Sequence, residues 1–165
     1  MEQKNNNLSE RELLDIANEV RKKTITSIFK AGSGHCGGAL SIADILSVLW
    51  FDTMNYDFQA KDNDKFVLSK GHAVPSLYAI FCQLGLISID ELNSLRQIGS
   101  SLQGHPDRTK LKFLDAGTGA LGQGLSIAIG YAISKKLLNS NKRVFCIVGD
   151  GELQEGQIWE AALYA

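Results

Sequence analysis

One continuous apolar run constrains the fold of this chain more than any other stretch. Residues 143–148 read Arg-Val-Phe-Cys-Ile-Val and end directly at Gly149-Asp150-Gly151. A short strand that is apolar at consecutive positions is typical of a parallel sheet whose two faces are both buried. Residues 65–69, Lys-Phe-Val-Leu-Ser, are a second short strand candidate. Because these sparse strands alternate with helical segments, the sequence predicts an α/β fold, a parallel sheet flanked by helices.

Capping motifs and apolar spacing predict the helices around these strands. Ser9-x-x-Glu12 and Ser88-x-x-Glu91 both match the capping box that begins a helix. Pro75 is typical of the first turn of another helix. The predicted helices run from Ser9 to a stop near Gly32, from 42 to about 52 with Ser41 as cap, over 76–84, from Ser88 to about 96, over 122–138, and from 157 onward.

All three histidines directly follow a glycine, as Gly34-His35, Gly71-His72 and Gly104-His105. Glycine allows turns that other residues resist and leaves room for a bound group. Histidine exchanges protons near neutral pH. We therefore predict that the three loops converge on one polar pocket; the alternative is three unrelated surface loops.

The Gly149-Asp150-Gly151 turn is the second candidate for chemistry. In open α/β sheets, ligands bind beyond the carboxyl ends of the strands. A carboxylate there can bind a hard cation such as Mg²⁺, which also bridges substrate phosphates. Gly151 would let the backbone approach a diphosphate oxygen, whereas the alternative is a turn that only ends the strand.

The segment Gly117-Thr118-Gly119-Ala120-Leu121-Gly122 matches G-x-G-x-x-G but does not predict a nicotinamide site. A dinucleotide fingerprint follows a well-formed strand and has an acidic residue about twenty positions later, and both are missing here. The loop does begin a long helix, so its N–H groups can face an anion or a ring. A plain turn is the alternative.

Two acidic residues follow the Gly-Asp-Gly turn. Glu152 or Glu155 can assist proton movement if it is buried near a second carboxylate. For Glu152 we expect instead a solvated helix N-terminus, where the helix dipole favours an acid.

Composition argues against several classes of protein. The formal net charge is −1, so the basic stripe of a nucleic-acid partner is missing. The three cysteines are odd in number and form no C-x-x-C pair, which argues against a disulfide framework and a zinc site. The polar start lacks the apolar core of a signal peptide, and we expect no apolar stretch long enough to span a membrane. We therefore expect a cytoplasmic protein with no membrane partner.

Five motifs in one order resemble the transketolase family of thiamine diphosphate enzymes, over about residues 10–165. They are Ser33-Gly34-His35-Cys36-Gly37-Gly38, Ser69-Lys70-Gly71-His72-Ala73, Gln103-Gly104-His105-Pro106, Gly119-Ala120-Leu121-Gly122-Gln123-Gly124 and Gly149-Asp150-Gly151. The local sequence around His35 and His72 is most similar to that of transketolases split into amino- and carboxyl-terminal subunits. The resemblance implies transfer of a two-carbon ketol unit between sugar phosphates in the pentose phosphate pathway. It also implies a dimeric or split-subunit assembly.

The resemblance also implies roles for individual residues. Asp150 would hold the divalent metal (Mg²⁺, or Ca²⁺ or Mn²⁺), and Gly151 and His72 would contact the cofactor's diphosphate. The cofactor rings would lie against Gly119, Ala120 and Leu121, although Ala120 replaces a proline common in full-length transketolases. His35 and His105 would face the sugar hydroxyls and move protons, and Glu155 would lie at the subunit interface near the machinery that activates the cofactor.

Two elements implied by the resemblance are missing from these 165 residues: an asparagine metal ligand and the glutamate that activates the aminopyrimidine. We therefore expect residues 1–8 to be a flexible amino terminus and residues 9–165 to be the front portion of the thiamine diphosphate-binding domain. We expect this portion to be incomplete at its carboxyl end and inactive alone. The alternatives are another ketol transferase, deoxyxylulose-phosphate synthase, or an inactive chain that serves only in binding or assembly.

Overall fold

The computed structural model describes residues 8–58, 60 and 62–165. Residues 1–7 of the predicted flexible terminus lie outside the described residues. The helices are α1 (Glu10–Ala31), α2 (Cys36–Leu40), α3 (Ala43–Val48), α4 (Val74–Gln83), α5 (Ile89–Asn93), α6 (Gln123–Leu137) and α7 (Gly156–Tyr164). The strands are β1 (Lys65–Leu68) and β2 (Val144–Ile147), and a π-helical turn, Leu49–Thr53, continues α3.

The two strands form a parallel pair with helices on both faces. Lys65 pairs with Val144 and Leu68 with Ile147, and the ladder continues to Ser69, whose N–H donates to the Ile147 carbonyl over 2.9 Å. One face packs on the large apolar cluster of α1, α3, α4 and α5, and the other packs on α6 around Val67 and Ala128. The predicted α/β class is therefore confirmed.

The free edge of β1 is covered by the segment that leads to Gly119. The Asp115 carboxylate accepts a hydrogen bond from the Phe66 N–H at 2.9 Å and pairs with Lys65 at 2.8 Å. Three residues later, the Thr118 hydroxyl donates to the Leu68 carbonyl over 2.6 Å. These contacts satisfy strand groups that would otherwise remain unpaired, and they bring Gly119 to the carboxyl end of β1.

Most predicted elements are present, with caps where the sequence indicates them. Both capping boxes form, and α1 ends at Gly32 in the left-handed conformation. Pro75 lies in the first turn of α4. Helix α5 ends earlier than predicted, at Asn93, and the chain turns at Arg96, whose φ is +60°.

The predicted helix from 42 to about 52 is present as α3 and the π-helical turn, but the prediction that Ser41 caps it is wrong. Ser41 ends α2 and does not cap α3, because its hydroxyl donates to the Gly38 carbonyl and accepts from Lys70. The helix then continues past Val48 as the π-helical turn.

Strand β2 is less buried than its apolar run predicts. All four of its residues are partly exposed. Among the described residues β2 has only β1 as a paired neighbour, so its other edge is uncovered. Phe145 and Ile147 pack on one apolar cluster and Val144 and Cys146 on the other, so the predicted burial on both faces is only partial for this strand.

One stretch contradicts the expectation that no apolar segment reaches membrane-spanning length. Residues Cys36–Thr53 satisfy the criteria of length and hydropathy, with a mean hydropathy of 1.2 over 18 residues. The structure divides this stretch into α2, α3 and the π-helical turn, and buries Ala39, Leu46 and Trp50 in the apolar cluster. Since 33% of the stretch is buried, packing in the protein interior accounts for part of its hydropathy, while Ile45 and Val48 remain exposed.

Candidate functional site

The three glycine–histidine loops come together beyond the carboxyl end of β1. His35 precedes α2, His72 lies in a 3-10 turn directly after β1, and their ring centroids are 5.1 Å apart. A methyl group placed on Gly119 would lie 3.3 Å from Cγ of His105. His105 and His35 each help to lower the pKa of His72, so all three imidazoles share one electrostatic environment.

Two glycines let these loops approach one another closely. A methyl group on Gly71 would lie only 2.9 Å from the backbone nitrogen of Gly119. A methyl group on Gly38 would lie 3.1 Å from Nε2 of His72. Real Cβ atoms essentially never make a contact as short as the one at Gly71, and a Cβ at Gly38 would require the His72 ring to shift by a few tenths of an ångström. The result is a cradle of backbone and imidazole groups.

Lys70 is a buried cation at the centre of these loops. Its Nζ donates to the Gly38 carbonyl at 3.1 Å and to the Ser41 hydroxyl at 3.0 Å. None of the ion pairs among the described residues includes it. Burial lowers the pKa of Lys70, and the charges of Asp150 and Glu152 oppose that shift. An ammonium group with neutral partners in a partly buried site attracts an anion.

The sequence patterns do not single out Lys70. Its position offers a signal, because Lys70 lies two residues beyond β1, at the edge of a parallel sheet where ligands bind. The rule that ligands bind beyond the carboxyl ends of parallel strands also identified Asp150 after β2.

Asp150 and Gly151 lie where β2 ends, and Asp150 is exposed. A methyl group on Gly151 would meet no atom within 4 Å, so space is open there. Among the described residues, no group of three histidine, cysteine or acidic side chains is arranged to hold a metal. Asp150 therefore offers a single hard oxygen ligand, which fits a cation that also binds the oxygens of a phosphate group.

The remaining predicted site residues lie at the start of α6 and at the start of α7. Ala120 and Leu121 are exposed, and they follow Gly119 on the way to α6. Glu155 is also exposed, and its Cβ would lie 3.1 Å from a methyl group on Gly122. The structure thus brings the loop before α6 next to Glu155.

Glu152 differs from its predicted state. Its side chain is buried and accepts hydrogen bonds from the Ser69 hydroxyl and from the N–H groups of Gly122 and Gly149. The expectation of a solvated helix N-terminus is wrong, because residues 151–154 form a 3-10 turn that directs this carboxylate inward.

Burial and neighbouring positive charge both favour the uncharged imidazoles of His72 and His105. The pKa of His72 is lowered mainly by burial and further by His35, Lys70 and His105, while Glu152 opposes the shift. The pKa of His105 is lowered by burial, Arg96 and His35. Neutral imidazole can accept a proton, as general base chemistry requires.

Two recesses are found away from the imidazole loops. One, of about 340 Å³, lies between α6 and α7 and includes Ser126 and Tyr164. The other, of about 760 Å³, lies beside Lys65 and Lys135. Neither contains a histidine, so the candidate site is the loop cradle at the sheet edge.

An α/β domain with this cradle at the carboxyl ends of parallel strands is a ligand-binding fold. Residues 13–165 match the family described as the thiamine diphosphate binding domain of transketolase. The chain therefore belongs to the transketolase family, as its motifs indicate.

Relatives and solved structures agree with this membership. Human transketolase is 47% identical over 157 residues, which cover 93% of this chain and 25% of that protein. A 6-deoxy-6-sulfo-D-fructose transketolase subunit from Clostridium sp. (strain MSTE9) is 42% identical over 152 residues, which cover 90% of this chain and 55% of that protein. The chain spans about a quarter of the length of the transketolases it matches.

The fold is that of solved transketolases. The enzyme from Leishmania mexicana superposes with a TM-score of 0.88 at 32% identity, over 93% of this chain and 25% of that one. A Pichia stipitis transketolase in complex with sedoheptulose 7-phosphate superposes with a TM-score of 0.86 at 28% identity, over 93% of this chain and 25% of that one. The predicted thiamine diphosphate-binding fold is thereby confirmed.

Proposed function

We propose that this chain supplies the diphosphate-binding part of a transketolase. The assembled enzyme moves a two-carbon ketol unit from a ketose phosphate to an aldose phosphate in the pentose phosphate pathway. It uses thiamine diphosphate and a divalent cation, Mg²⁺ or alternatively Ca²⁺ or Mn²⁺. The observation that carries this proposal is the meeting of His35, His72, His105 and Lys70 in one cradle at the carboxyl end of β1, with Asp150 at the end of β2.

The residues nearest the strand ends suit a diphosphate group. Lys70 offers a buried positive charge, and Gly71 and Gly119 let their two loops pack closely together beside it. His72 lies beside both, and Gly151 borders open space next to Asp150. We assign diphosphate contact to His72 and Gly151, with Lys70 as an additional cation. Asp150 is assigned to the metal that neutralises the diphosphate.

The bound cofactor supplies the nucleophilic carbon that attacks the ketose. Gly119, Ala120 and Leu121 are assigned to the surface against which its rings lie. Their position between the histidine cradle and α6 supports this assignment.

His35 and His105 are assigned to the sugar hydroxyls. Burial and Arg96 hold the pKa of His105 below its ordinary range, so His105 is uncharged at neutral pH and can accept a hydroxyl proton. Its protonated form can then return that proton to an oxygen of the product. Glu155 is assigned to the subunit interface, since it is exposed next to the loop that precedes α6.

The proposed partners are a carboxyl-terminal transketolase subunit or domain and a second copy of the assembly. Exposed Leu137, Trp159 and Leu163 on α6 and α7, and the edge of β2 that has no paired strand among the described residues, support partner contacts at these elements. No nucleic-acid or membrane partner is proposed, and the cytoplasm is the proposed compartment.

A second candidate differs in the sugar. The relationship to the Clostridium subunit favours a donor in the class of 6-deoxy-6-sulfo-D-fructose. Comparing ketose phosphates with ketose sulfonates as donors separates the two candidates. The assembly must prefer the phosphate if the main proposal is correct.

The proposal is tested by calorimetric titration of thiamine diphosphate in the presence of Mg²⁺, using the chain assembled with its carboxyl-terminal partner. Asp150→Ala is expected to weaken binding by roughly tenfold or more, since removing even an outer-shell partner of a metal costs about 10–100-fold. Asp15→Ala, an exposed carboxylate on α1, serves as the control and is expected to bind normally. Unchanged affinity in Asp150→Ala contradicts the metal assignment, and no binding by the wild-type assembly contradicts the proposed function.

A further inference from the structure

We propose that Glu152 is a positioning residue whose buried carboxylate fixes the relative positions of three proposed cofactor-binding loops. This inference rests on the proposed function, since it concerns the same site. Glu152 itself is not proposed to contact the cofactor or the substrate. It acts through the residues that it orients.

The carboxylate joins three segments that are distant in sequence. Its Oε1 accepts from the Ser69 hydroxyl at 2.5 Å and from the Gly122 N–H at 2.8 Å. Its Oε2 accepts from the Gly149 N–H at 2.9 Å. The side chain is only 2% exposed, so water cannot replace these donors.

Each of these contacts is adjacent to a proposed site residue. Ser69 precedes Lys70, and Gly149 precedes Asp150. Gly122 directly follows Leu121 and is the N-cap of α6, with a φ of +86°, a conformation that favours glycine. A shift of the carboxylate would therefore move the cation, the metal ligand and the ring-binding loop together.

A carboxylate suits this position better than an amide. All three partners donate a hydrogen bond, and a carboxylate has only acceptors. A glutamine would direct its own NH₂ group toward at least one of these donors. The side chain of Glu152 therefore matches its surroundings in both shape and polarity.

The cost of burying this charge indicates a role beyond filling space. Among the described residues, Glu152 belongs to no ion pair. A buried carboxylate without a paired cation is destabilising unless hydrogen bonds and nearby charges compensate it. Lys70 and His72 lie close enough for Glu152 to raise the pKa of each. The same charge thus favours the protonated form of Lys70 in the cradle.

The first test measures amide hydrogen exchange in the chain. Glu152→Gln is expected to speed exchange of at least one of the Gly122 and Gly149 N–H groups by about tenfold or more, because hydrogen bonds to charged groups contribute about 1.5–3 kcal/mol. Glu10→Gln, which neutralises an exposed acid in the first turn of α1, is the matched control and should leave both rates unchanged. Unchanged rates at Gly122 and Gly149 in folded Glu152→Gln overturn the inference.

The second test compares thiamine diphosphate affinity with stability in the assembly. Glu152→Gln is expected to weaken binding by about tenfold. Val20→Ala truncates a core side chain in the middle of α1. It is expected to lower the melting temperature and to leave affinity unchanged. If Glu152→Gln does not fold, Ser69→Ala removes one donor to the same carboxylate and should weaken binding to a smaller extent.

These outcomes separate the two proposals. Normal affinity in Glu152→Gln, with a wild-type assembly that binds, overturns the positioning role and leaves the proposed function intact. An equal loss of affinity in Val20→Ala also overturns it, since stability alone would then explain the effect. A wild-type assembly that does not bind overturns the proposed function, and the exchange rates then decide by themselves whether the carboxylate holds the loops.

Discussion

At the scale of single residues, the candidate site is dominated by titratable groups whose pKa values the fold changes. His72 and His105 both have a lowered pKa, with burial as the largest cause. His35, Lys70 and Arg96 add positive charge around them, and Glu152 partly offsets it at His72. The folded chain therefore binds protons at these imidazoles less readily than the unfolded chain does.

The free energy of unfolding is expected to fall as the pH drops below about 6.5, the ordinary histidine pKa. In that window the unfolded state binds more protons than the native state, so stability rises with pH and is lost on acidification. Chemical denaturation between about pH 8 and about pH 5.5 measures this slope.

The control for this pH dependence is the double variant His72→Gln and His105→Gln. Carboxyl groups with a lowered pKa, such as Asp62 and Asp107, bind protons only at lower pH and so do not contribute to the slope between about pH 8 and about pH 5.5. The double variant should show a flatter slope than the wild type. An identical slope would contradict the assignment to these two imidazoles.

At the scale of elements, the contact between α6 and the end of β1 depends on one glycine. A methyl group on Gly124 would lie 2.4 Å from the Ser69 hydroxyl oxygen and 2.6 Å from the Ser69 Cα. The Cα cannot rotate away, so the helix or the strand end would have to move. This close approach also holds Ser69 where it meets Glu152.

Gly124→Ala is expected to lower the free energy of unfolding by about 1–3 kcal/mol, the usual cost of overpacking. Gly130→Ala in the same helix is the matched control, because a methyl group there meets no atom within 4 Å. That control should be neutral or stabilising by up to about 1 kcal/mol, since alanine favours helix. Equal effects of the two substitutions in urea denaturation would show that the close contact is unimportant.

At the scale of the whole molecule, apolar surface remains exposed on β2, α6 and α7. Strand β2 is partly exposed, and α6 and α7 carry exposed apolar side chains that include Leu137, Trp159 and Leu163. Asp150 has no cluster of further metal ligands among the described residues. These features fit the proposed carboxyl-terminal partner, which would cover exposed apolar surface and supply further ligands to the proposed metal.

Ketol transfer is expected only when the chain is combined with its carboxyl-terminal partner. The assay follows xylulose 5-phosphate with ribose 5-phosphate, in the presence of thiamine diphosphate and Mg²⁺. The partner alone is the control, and neither component should be active by itself. Turnover by this chain without a partner would contradict the prediction.

The sequence by itself determined the elements whose signals are local. The capping boxes at Ser9 and Ser88 and the stop at Gly32 predict helix ends correctly, because each depends on hydrogen bonds within a few residues. The two strands and their parallel class follow from short apolar runs between helices. The motif order was sufficient to indicate the family.

Only the tertiary structure decided how the loops meet. Lys70 and Ser41 contact each other, and Glu152 is buried, because segments dozens of residues apart in the chain pack together. The exposure of β2 likewise depends on which strands lie beside it, and its own residues do not encode that. A local pattern specifies a residue's conformation, whereas its burial and partners are set by packing across the whole fold.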